Sequence, residues 1–348
     1  MRIALDAMGG DFAPANPVAA AVASLQKFSQ IQELHLFGDE ILIRAELAKH
    51  NATTNSRLVL HPTSQVIQMS DGAVEAIRRK KDSSLCRAVD LVKEGKADAL
   101  VSAGHTGALV AATTIKLRNL PGVDRAGIGA LMPTGKNVFL LIDAGGNVDS
   151  KPDHLLNYGI MGSIFYTHIL KRDNPRVGLL CNGTEEGKGN DLTREAFKLL
   201  KSAPINFIGN VEGHSLFEGE VDVVVCDGFV GNIVLKSCEN LAKSTFRWLK
   251  DELTANPVRL AGAWLAQGAF QSIRKKTNAD EYGGALLLGV NGVCVKAHGS
   301  SSVHALINSL RVAAEAVELQ VNSRIVSDVA KASASIRNAS PDNATLAA

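Results

Sequence analysis

Short apolar runs alternate with longer segments of helical spacing along most of the chain. Val223-Val224-Val225 has no polar alternation, which is the pattern of a strand covered on both faces. Asp227-Gly228 ends it in a turn that glycine makes easy. Gly231-Asn232 then opens a segment, 233–249, with apolar residues at helical spacing. The same order recurs. A strand over 3–5 exits through Asp6-Ala7-Met8-Gly9-Gly10-Asp11 into a helix over 14–28, and one over 34–37 exits through Gly38-Asp39 into a helix over 40–50. A third strand, 58–60, precedes a helix over 71–81. Residues 99–101 lead through Ser102 to Gly107 into a helix over 108–117, and 138–142 lead through Asp143 to Asp149 into a helix ending at Lys171. Residues 177–180 lead through Asn182 to Asn190 into a helix ending at Leu200, followed by a strand over 205–208.

Strands alternating with helices on this scale predict a doubly wound, mostly parallel sheet between helix layers. Ligands of such sheets collect beyond the carboxyl ends of the strands. The polar turns at Asp6, Ser102, Asp143, Asn182 and Asp227 all leave such ends, so they are expected to converge on one crevice. Residues 245–280 break the rhythm: they read as helical throughout, divided at Pro257. Trp264, Leu265, Phe270 and Ile273 separate only loosely from Arg259, Arg274, Lys275 and Lys276, which fits a hairpin packed on its own domain or on a twin subunit. Strand-like runs return at 286–288 and 293–296, ahead of Ala297-His298-Gly299-Ser300-Ser301-Ser302 and a last helix ending at Leu319. From 322 the chain is rich in Ala, Ser and Asn, the composition of a mobile tail. The expected organisation is one catalytic domain over 1–321, with a helical excursion at about 245–280 and a tail over 322–348.

The 348 residues, 46% of them hydrophobic, suffice for a large core. A net charge of +2 gives no global field for nucleic acid. Five cysteines without a CxxC pair fit a reducing compartment, the cytoplasm, with Cys226 and Cys294 as small core residues. The first residues, MRIALDAMGGD, read as a strand and not a signal peptide. No apolar run approaches the roughly 18 residues that a membrane span needs.

Missing motifs narrow the chemistry. Gly9-Gly10 lacks the third glycine of a dinucleotide fingerprint. Gly183 to Gly189 is one residue short of a P-loop, and no Ser or Thr follows Lys188. There is no GxSxG elbow and no HExxH helix. No spacing of His105, His298 and acidic residues supports a metal, and no cofactor is expected. Left over are glycine turns, Asn147, Asn182, Asn190 and Asn232, and the cations Lys188 and Lys296. These are groups that bind phosphate or another oxyanion.

The motifs DAMGGD, SAGHTGAL, DAGGNVDSKP, GTEEGKGN, CDGFVGNIVLK, YGGALLLG and KAHGSSS resemble, in order and spacing, those of the bacterial phosphate acyltransferases over residues 1–319. The resemblance implies a three-layer α/β/α sandwich related to the phosphotransacetylase and isopropylmalate dehydrogenase folds, assembled as a homodimer. It implies transfer of a long acyl chain from acyl carrier protein to inorganic phosphate, giving acyl phosphate for phospholipid synthesis. Lys188 and Asn232 would stand at the reacting centre. Gly9, Gly10, Gly104, His105, Thr106, Asn147, Asn182, Gly231, Lys296 and His298 would contact substrate. His105 stands where the family usually has Asn.

Such a reaction needs no triad. Phosphate is largely dianionic at neutral pH and a thiolate leaves readily, so orientation and fixed donors supply what is missing. Arg78, Arg79, Lys80, Arg274, Lys275 and Lys276 are expected docking cations for the acidic carrier protein. The segment 257–276 is expected to rest weakly on an anionic membrane at the inner face, handing product to a downstream glycerol-phosphate acyltransferase. Two rivals are a metal- and NAD-dependent decarboxylating dehydrogenase of related fold and a non-catalytic lipid-enzyme scaffold.

Overall fold

Eleven strands make one sheet in the computed structural model, which describes residues 1–277 and 281–339. They are β1 (Arg2–Asp6), β2 (Glu33–Gly38), β3 (Leu58–Pro62), β4 (Ala99–Ser102), β5 (Gly127–Pro133), β6 (Val138–Ile142), β7 (Val177–Leu180), β8 (Phe207–Val211), β9 (Val223–Val225), β10 (Ala285–Leu288) and β11 (Val293–Lys296). Their order across the sheet is β3-β2-β1-β4-β11-β10-β5-β6-β9-β7-β8. The period-2 alternation of each strand sorts its side chains between two cores. Ile3, Leu5, Leu34, Leu36, Leu140, Ile142, Val223 and Val225 face one of them. Ala4, Phe37, Leu100, Phe139, Leu141 and Val224 face the other.

The first core is covered by α1 (Ala15–Lys27), α2 (Glu40–Lys49), α6 (Pro152–Ile169), α7 (Asp191–Ser202), α11 (Val303–Glu318) and α12 (Val321–Ala339). The second is covered by α3 (Ala73–Arg79), α4 (Ser84–Lys93), α5 (Thr106–Lys116) and the first turns of α8 (Gly228–Leu253). The three-layer sandwich is therefore as the sequence implies. Cys226 and Cys294 are buried in the second core.

Strand direction departs from the simple expectation. β3, β2, β1, β4 and β11 are mutually parallel. β10 runs antiparallel to both β11 and β5, and β5 antiparallel to β6. β6, β9, β7 and β8 are again parallel to one another. Three reversals set the two parallel blocks in opposite directions, so their carboxyl ends lie at opposite edges of the sheet.

The mobile tail expected over 322–348 is corrected over 322–339. Val321, Ile325, Val329 and Ala332 recur at helical spacing, and all four are buried in the first core, where α12 packs on α6. Four well-placed apolar residues order a segment whose average composition is polar. Residues 340–348 of the expected tail lie outside the described residues.

Candidate active site

At the carboxyl edge of β6, β9 and β7, three loops leave neighbouring strands. The first, Asp143 to Asp149, folds around its own leading carboxylate. Asp143 is buried and accepts N–H bonds from Ile128 (2.9 Å), Gly145 (3.1 Å), Gly146 (2.8 Å) and Asn147 (2.7 Å). Burial pushes its pKa up, against the pull of those donors. The Asn147 amide donates to Asp143, to the Ala126 carbonyl and to the Tyr158 hydroxyl, whose pKa burial pushes up. This loop thus carries its anion with it, and Asn147 is a brace within it.

The second loop opens α8. Asp227 caps the helix by accepting from the N–H groups of Phe229 (2.9 Å) and Val230 (3.0 Å). The helix therefore begins at Gly228, five residues before the run at 233 that its apolar spacing predicts, and a carboxylate of the chain already occupies its positive end. Gly231 rests directly on the Asp143 loop: a Cβ there would collide with the Asp143 carbonyl oxygen. Only glycine permits that approach. Asn232 follows, lying over Gly145, with its amide exposed and without a hydrogen bond among the described residues.

The third loop runs from Asn182 to Asn190. Asn190 caps α7 through Thr193 N–H (3.0 Å). The stem of Lys188 packs over Gly183, its ammonium is exposed, and no carboxylate pairs with it among the described residues. Asn182 is exposed at the strand exit. Because β7 pairs with β9, the two loops that carry Lys188 and Asn232 leave adjacent strands, which are about 4.8 Å apart.

The remaining expected residues sit at the opposite edge, beyond β1, β4 and β11. Asp6 is buried there, accepts from the Ser102 hydroxyl (2.7 Å), and has its pKa pushed up by burial. Gly9 and Gly104 pack around it. A Cβ at Gly9 would lie 2.6 Å from both the Asp6 carboxylate and the Gly104 nitrogen. Gly104 N–H bonds Ser102 (3.1 Å), and Gly9 and Gly104, with the adjoining Gly10, shape the turn around Asp6. His105 caps α5, its Nδ1 accepting from Ala108 N–H (3.1 Å) ahead of Thr106. An imidazole nitrogen thus fills the capping role that an Asn oxygen plays equally well.

The single convergent crevice is therefore corrected to two groups of loops, and α8 is what joins them. Its Val234, Leu235 and Cys238 pack on the second core, and the helix reaches the β11 exit within two turns. There Lys236 Nζ lies 3.1 Å from His298 Nε2 and 2.8 Å from Glu239 Oε2. His298 Nδ1 in turn contacts the Ser300 hydroxyl at 2.8 Å. Lys296 is close by, partly buried, its ammonium bonded to the Ala297 carbonyl. Burial and the neighbouring Lys236 charge lower its pKa to about 8, while Asp6 and Asp11 oppose the shift. Sequence reasoning passed over Lys236 and Glu239. The available signal was spacing, because Lys236 follows Asn232 by four residues and so shares its helical face.

Beyond Leu253 the excursion continues as α9 (Pro257–Leu265) and α10 (Gln267–Thr277), with the break at Pro257 as read from the sequence. None of α9 is buried, and Trp248, Val258, Trp264 and Leu265 are 58%, 83%, 73% and 79% exposed. The apolar side chains of Val258, Trp264 and Leu265 in the hairpin are left uncovered by its own domain. Residues 278–280 of the excursion, and the Lys275 side chain, lie outside the described residues. Of the expected docking cations, Lys80 is tied to Asp71 (2.6 Å) and Arg79 to Glu75 (2.9 Å), whereas Arg78, Arg274 and Lys276 are exposed. Among the described residues no three His, Cys, Asp or Glu side chains are grouped to hold a metal, and no helix is long and apolar enough to cross a membrane.

This fold is that of the phosphotransacetylases. A phosphotransacetylase from Streptococcus pyogenes superposes with a TM-score of 0.60 at 18% identity, covering 91% of this chain and 94% of that one. A phosphotransacetylase from Staphylococcus aureus gives 0.58 at 18% identity, over 92% and 94%. At the level of sequence the relation is far closer. The model of the fatty acid synthesis protein family matches residues 1–324. Curated phosphate acyltransferases from Akkermansia muciniphila (46% identical; 95% of this chain, 96% of the relative) and Desulfitobacterium hafniense (48%; 91% and 94%) span nearly its whole length. The chain belongs to the phosphate acyltransferase family, acyl-transferring enzymes of fatty-acid and phospholipid synthesis.

Proposed function

We propose that the chain transfers a long fatty acyl group from the thioester of acyl carrier protein to inorganic phosphate, releasing acyl phosphate. The observation that carries this reading is the pairing of Lys188 with Asn232. They leave adjacent parallel strands at one edge, exposed and without partners among the described residues, while backbone N–H groups of the neighbouring loops, those of Gly146 and Phe229 among them, serve the chain's own carboxylates. Two unpaired polar side chains on rigid supports suit an intermediate that gains and loses charge.

A phosphate oxygen attacks the thioester carbon. The new O–C bond forms as the carbonyl becomes a tetrahedral oxyanion, and its collapse breaks the C–S bond and expels the carrier thiolate, which then takes a proton from water. Lys188 offsets the charge of two approaching anions and Asn232 donates to the oxyanion. No step calls for a strong base. In an assay of acyl-carrier thioester with phosphate, the wild-type chain forms acyl phosphate. Lys188→Ala, with the fold intact, lowers turnover by about 10²-fold, the scale of losing one oxyanion donor. Near-wild-type turnover in that variant would remove Lys188 from the mechanism, and no acyl phosphate from the wild type would end the reading itself.

The exposed apolar residues of α8 to α10 support two further parts of the proposal. A second copy of the chain covers part of them in a homodimer, and the tip around Trp264 and Leu265 touches an anionic membrane, where a glycerol-phosphate acyltransferase takes the product. Trp264→Glu then weakens vesicle binding in sedimentation. If it abolishes dimerisation and leaves vesicle binding intact, the tip is an interface only.

A further inference from the structure

Among the described residues, Lys296 stands out as a cation poorly explained by its surroundings. Its ammonium is drawn into the body at the β11 exit, yet its hydrogen-bond partner is a neutral backbone carbonyl, that of Ala297. No carboxylate lies within ion-pair distance of it among the described residues. A second lysine, Lys236, arrives from a different element and adds like charge. The fold thus brings two ammonium groups and the His298 imidazole to one place. Of the three, Lys236 alone has a close carboxylate, Glu239 at 2.8 Å, while His298 keeps 3.8 Å from it. Holding an unpaired cation near a second one is unfavourable unless an anion joins them.

We propose that Lys236, Lys296 and His298 form the phosphate-binding subsite, with Glu239 positioning Lys236, one helical turn from Asn232. The placement rests on the acyl-transfer reading and sharpens it. Four residues along α8 separate Asn232 from Lys236, about 6 Å of rise. A phosphate held by Lys236 can then present an oxygen to a thioester carbonyl at Asn232, given near-attack separations of about 3–3.5 Å. The two groups of loops become two halves of one reaction, with the nucleophile held at the β11 exit and the acyl carbonyl at the β6–β9–β7 edge. The depressed pKa of Lys296, about 8, agrees with a cation that lacks its counter-ion.

The test separates binding from turnover, with inorganic phosphate as the probe. Equilibrium dialysis or calorimetry gives its Kd for the wild type and for Lys236→Ala, Lys236→Arg, Glu239→Gln and Lys188→Ala, and circular dichroism checks each fold. The expected result is a rise in Kd of about tenfold or more for Lys236→Ala, a smaller one for Lys236→Arg, and a near-normal Kd for Lys188→Ala despite its lost turnover. Glu239→Gln raises the KM for phosphate and leaves that for the acyl donor unchanged, which a general loss of structure would not do. Should Lys296→Ala misfold, Lys296→Met keeps the volume of the stem and carries the same expectation as Lys236→Ala. An unchanged phosphate Kd in folded Lys236→Ala and Lys296→Met overturns the subsite even if acyl transfer is confirmed. A wild type that binds phosphate through these lysines yet forms no acyl phosphate overturns the acyl-transfer reading and leaves the subsite standing.

Discussion

Replacing Gly231 with alanine sets two opposed effects against each other. In an exposed helix the change stabilises by about 1 kcal/mol, because glycine has more backbone entropy to lose. At this position the new methyl meets atoms that cannot rotate away: the Asp143 carbonyl oxygen, its carbon at 3.0 Å, and Cys226 Sγ at 2.9 Å. Ordinary contact would require the start of α8 to rise by about an ångström or more. Overpacking of that kind destabilises by about 1–3 kcal/mol. The shift would also pull Gly228 N–H from the Asn147 carbonyl, now at 2.9 Å, which is worth about another 1 kcal/mol. The clash wins, and Gly231→Ala is destabilised by roughly 1–3 kcal/mol in urea unfolding followed by circular dichroism. Because Asn232 moves with the helix, turnover falls by about 10²-fold, as an ångström of misplacement does elsewhere. Gly262→Ala is the control. That glycine lies in α9 with nothing within 4 Å of its Cβ position, so hydrogen exchange in α9 slows by about fivefold. If Gly231→Ala stabilises as Gly262→Ala does, the close approach of α8 to the Asp143 loop is refuted.

Three other outcomes are expected. With its folded pKa lowered to about 8, Lys296 loses its charge as pH rises through that value. The kcat/KM for phosphate therefore falls above about pH 8, while the unfolded chain binds the extra proton up to its own pKa, so this residue's contribution to stability rises with pH across that interval; a flat rate profile from pH 7 to 9.5 would count against it. Burial alone would raise the Asp222 pKa, but bonds from Arg176 (2.9 Å) and Arg172 (3.2 Å) lower it overall; its stabilisation is complete above the unfolded carboxylate pKa and lost as pH falls through the folded one, so Asp222→Asn flattens the acid limb of a stability–pH curve below about pH 4. Ile325→Ala in α12, where the side chain is fully buried, lowers stability by about 2–5 kcal/mol, and a change under 0.5 kcal/mol would mean that α12 is not docked on α6.

Most of the sandwich was legible because its strands are short, mostly apolar and punctuated by polar glycine turns. The proposed site residues Lys188 and Asn232 stand out for the same reason: each follows such a run, Lys188 in a loop and Asn232 in the first turns of α8. What the glycine-rich turns do was less legible. A glycine N–H reads alike whether it waits for a substrate phosphate or already serves a buried carboxylate, and Asp143, bonded by Gly145 and Gly146, shows the second use, while Asp227 takes the N–H groups of Phe229 and Val230 in the same way. Each opens its own loop, so the anion was in the sequence beside the donors. α12 escaped because averaged composition hides four buried side chains among many small and polar ones.

Strand direction escaped for a different reason. A run such as Val223 to Val225 is the same pattern whether it points up or down, so direction must come from the connections. A parallel neighbour needs a crossover of a dozen or more residues, whereas a tight turn forces an antiparallel pair. β10 ends at Leu288 and β11 begins at Val293, which already dictates one reversal. The second tight turn lies at 134–137, where the Thr134 hydroxyl accepts from the N–H groups of Lys136 and Asn137. Its first strand, β5, is hard to see in the sequence, because Gly127 and Gly129 look like punctuation. In the fold they make room for the ring of Tyr158 and the side chain of Leu140. Losing that one strand loses two of the three reversals, and with them the fact that the carboxyl ends of the two blocks face opposite ways. The proposed site draws on both ends and so needs an element that travels between them. The 26 residues of α8, about 39 Å of helix, begin on the Asp143 loop and pass the β11 exit within two turns. Its face carries Asn232, Lys236 and Glu239 in succession, so substitutions at its start are expected to disturb both halves of the proposed site together.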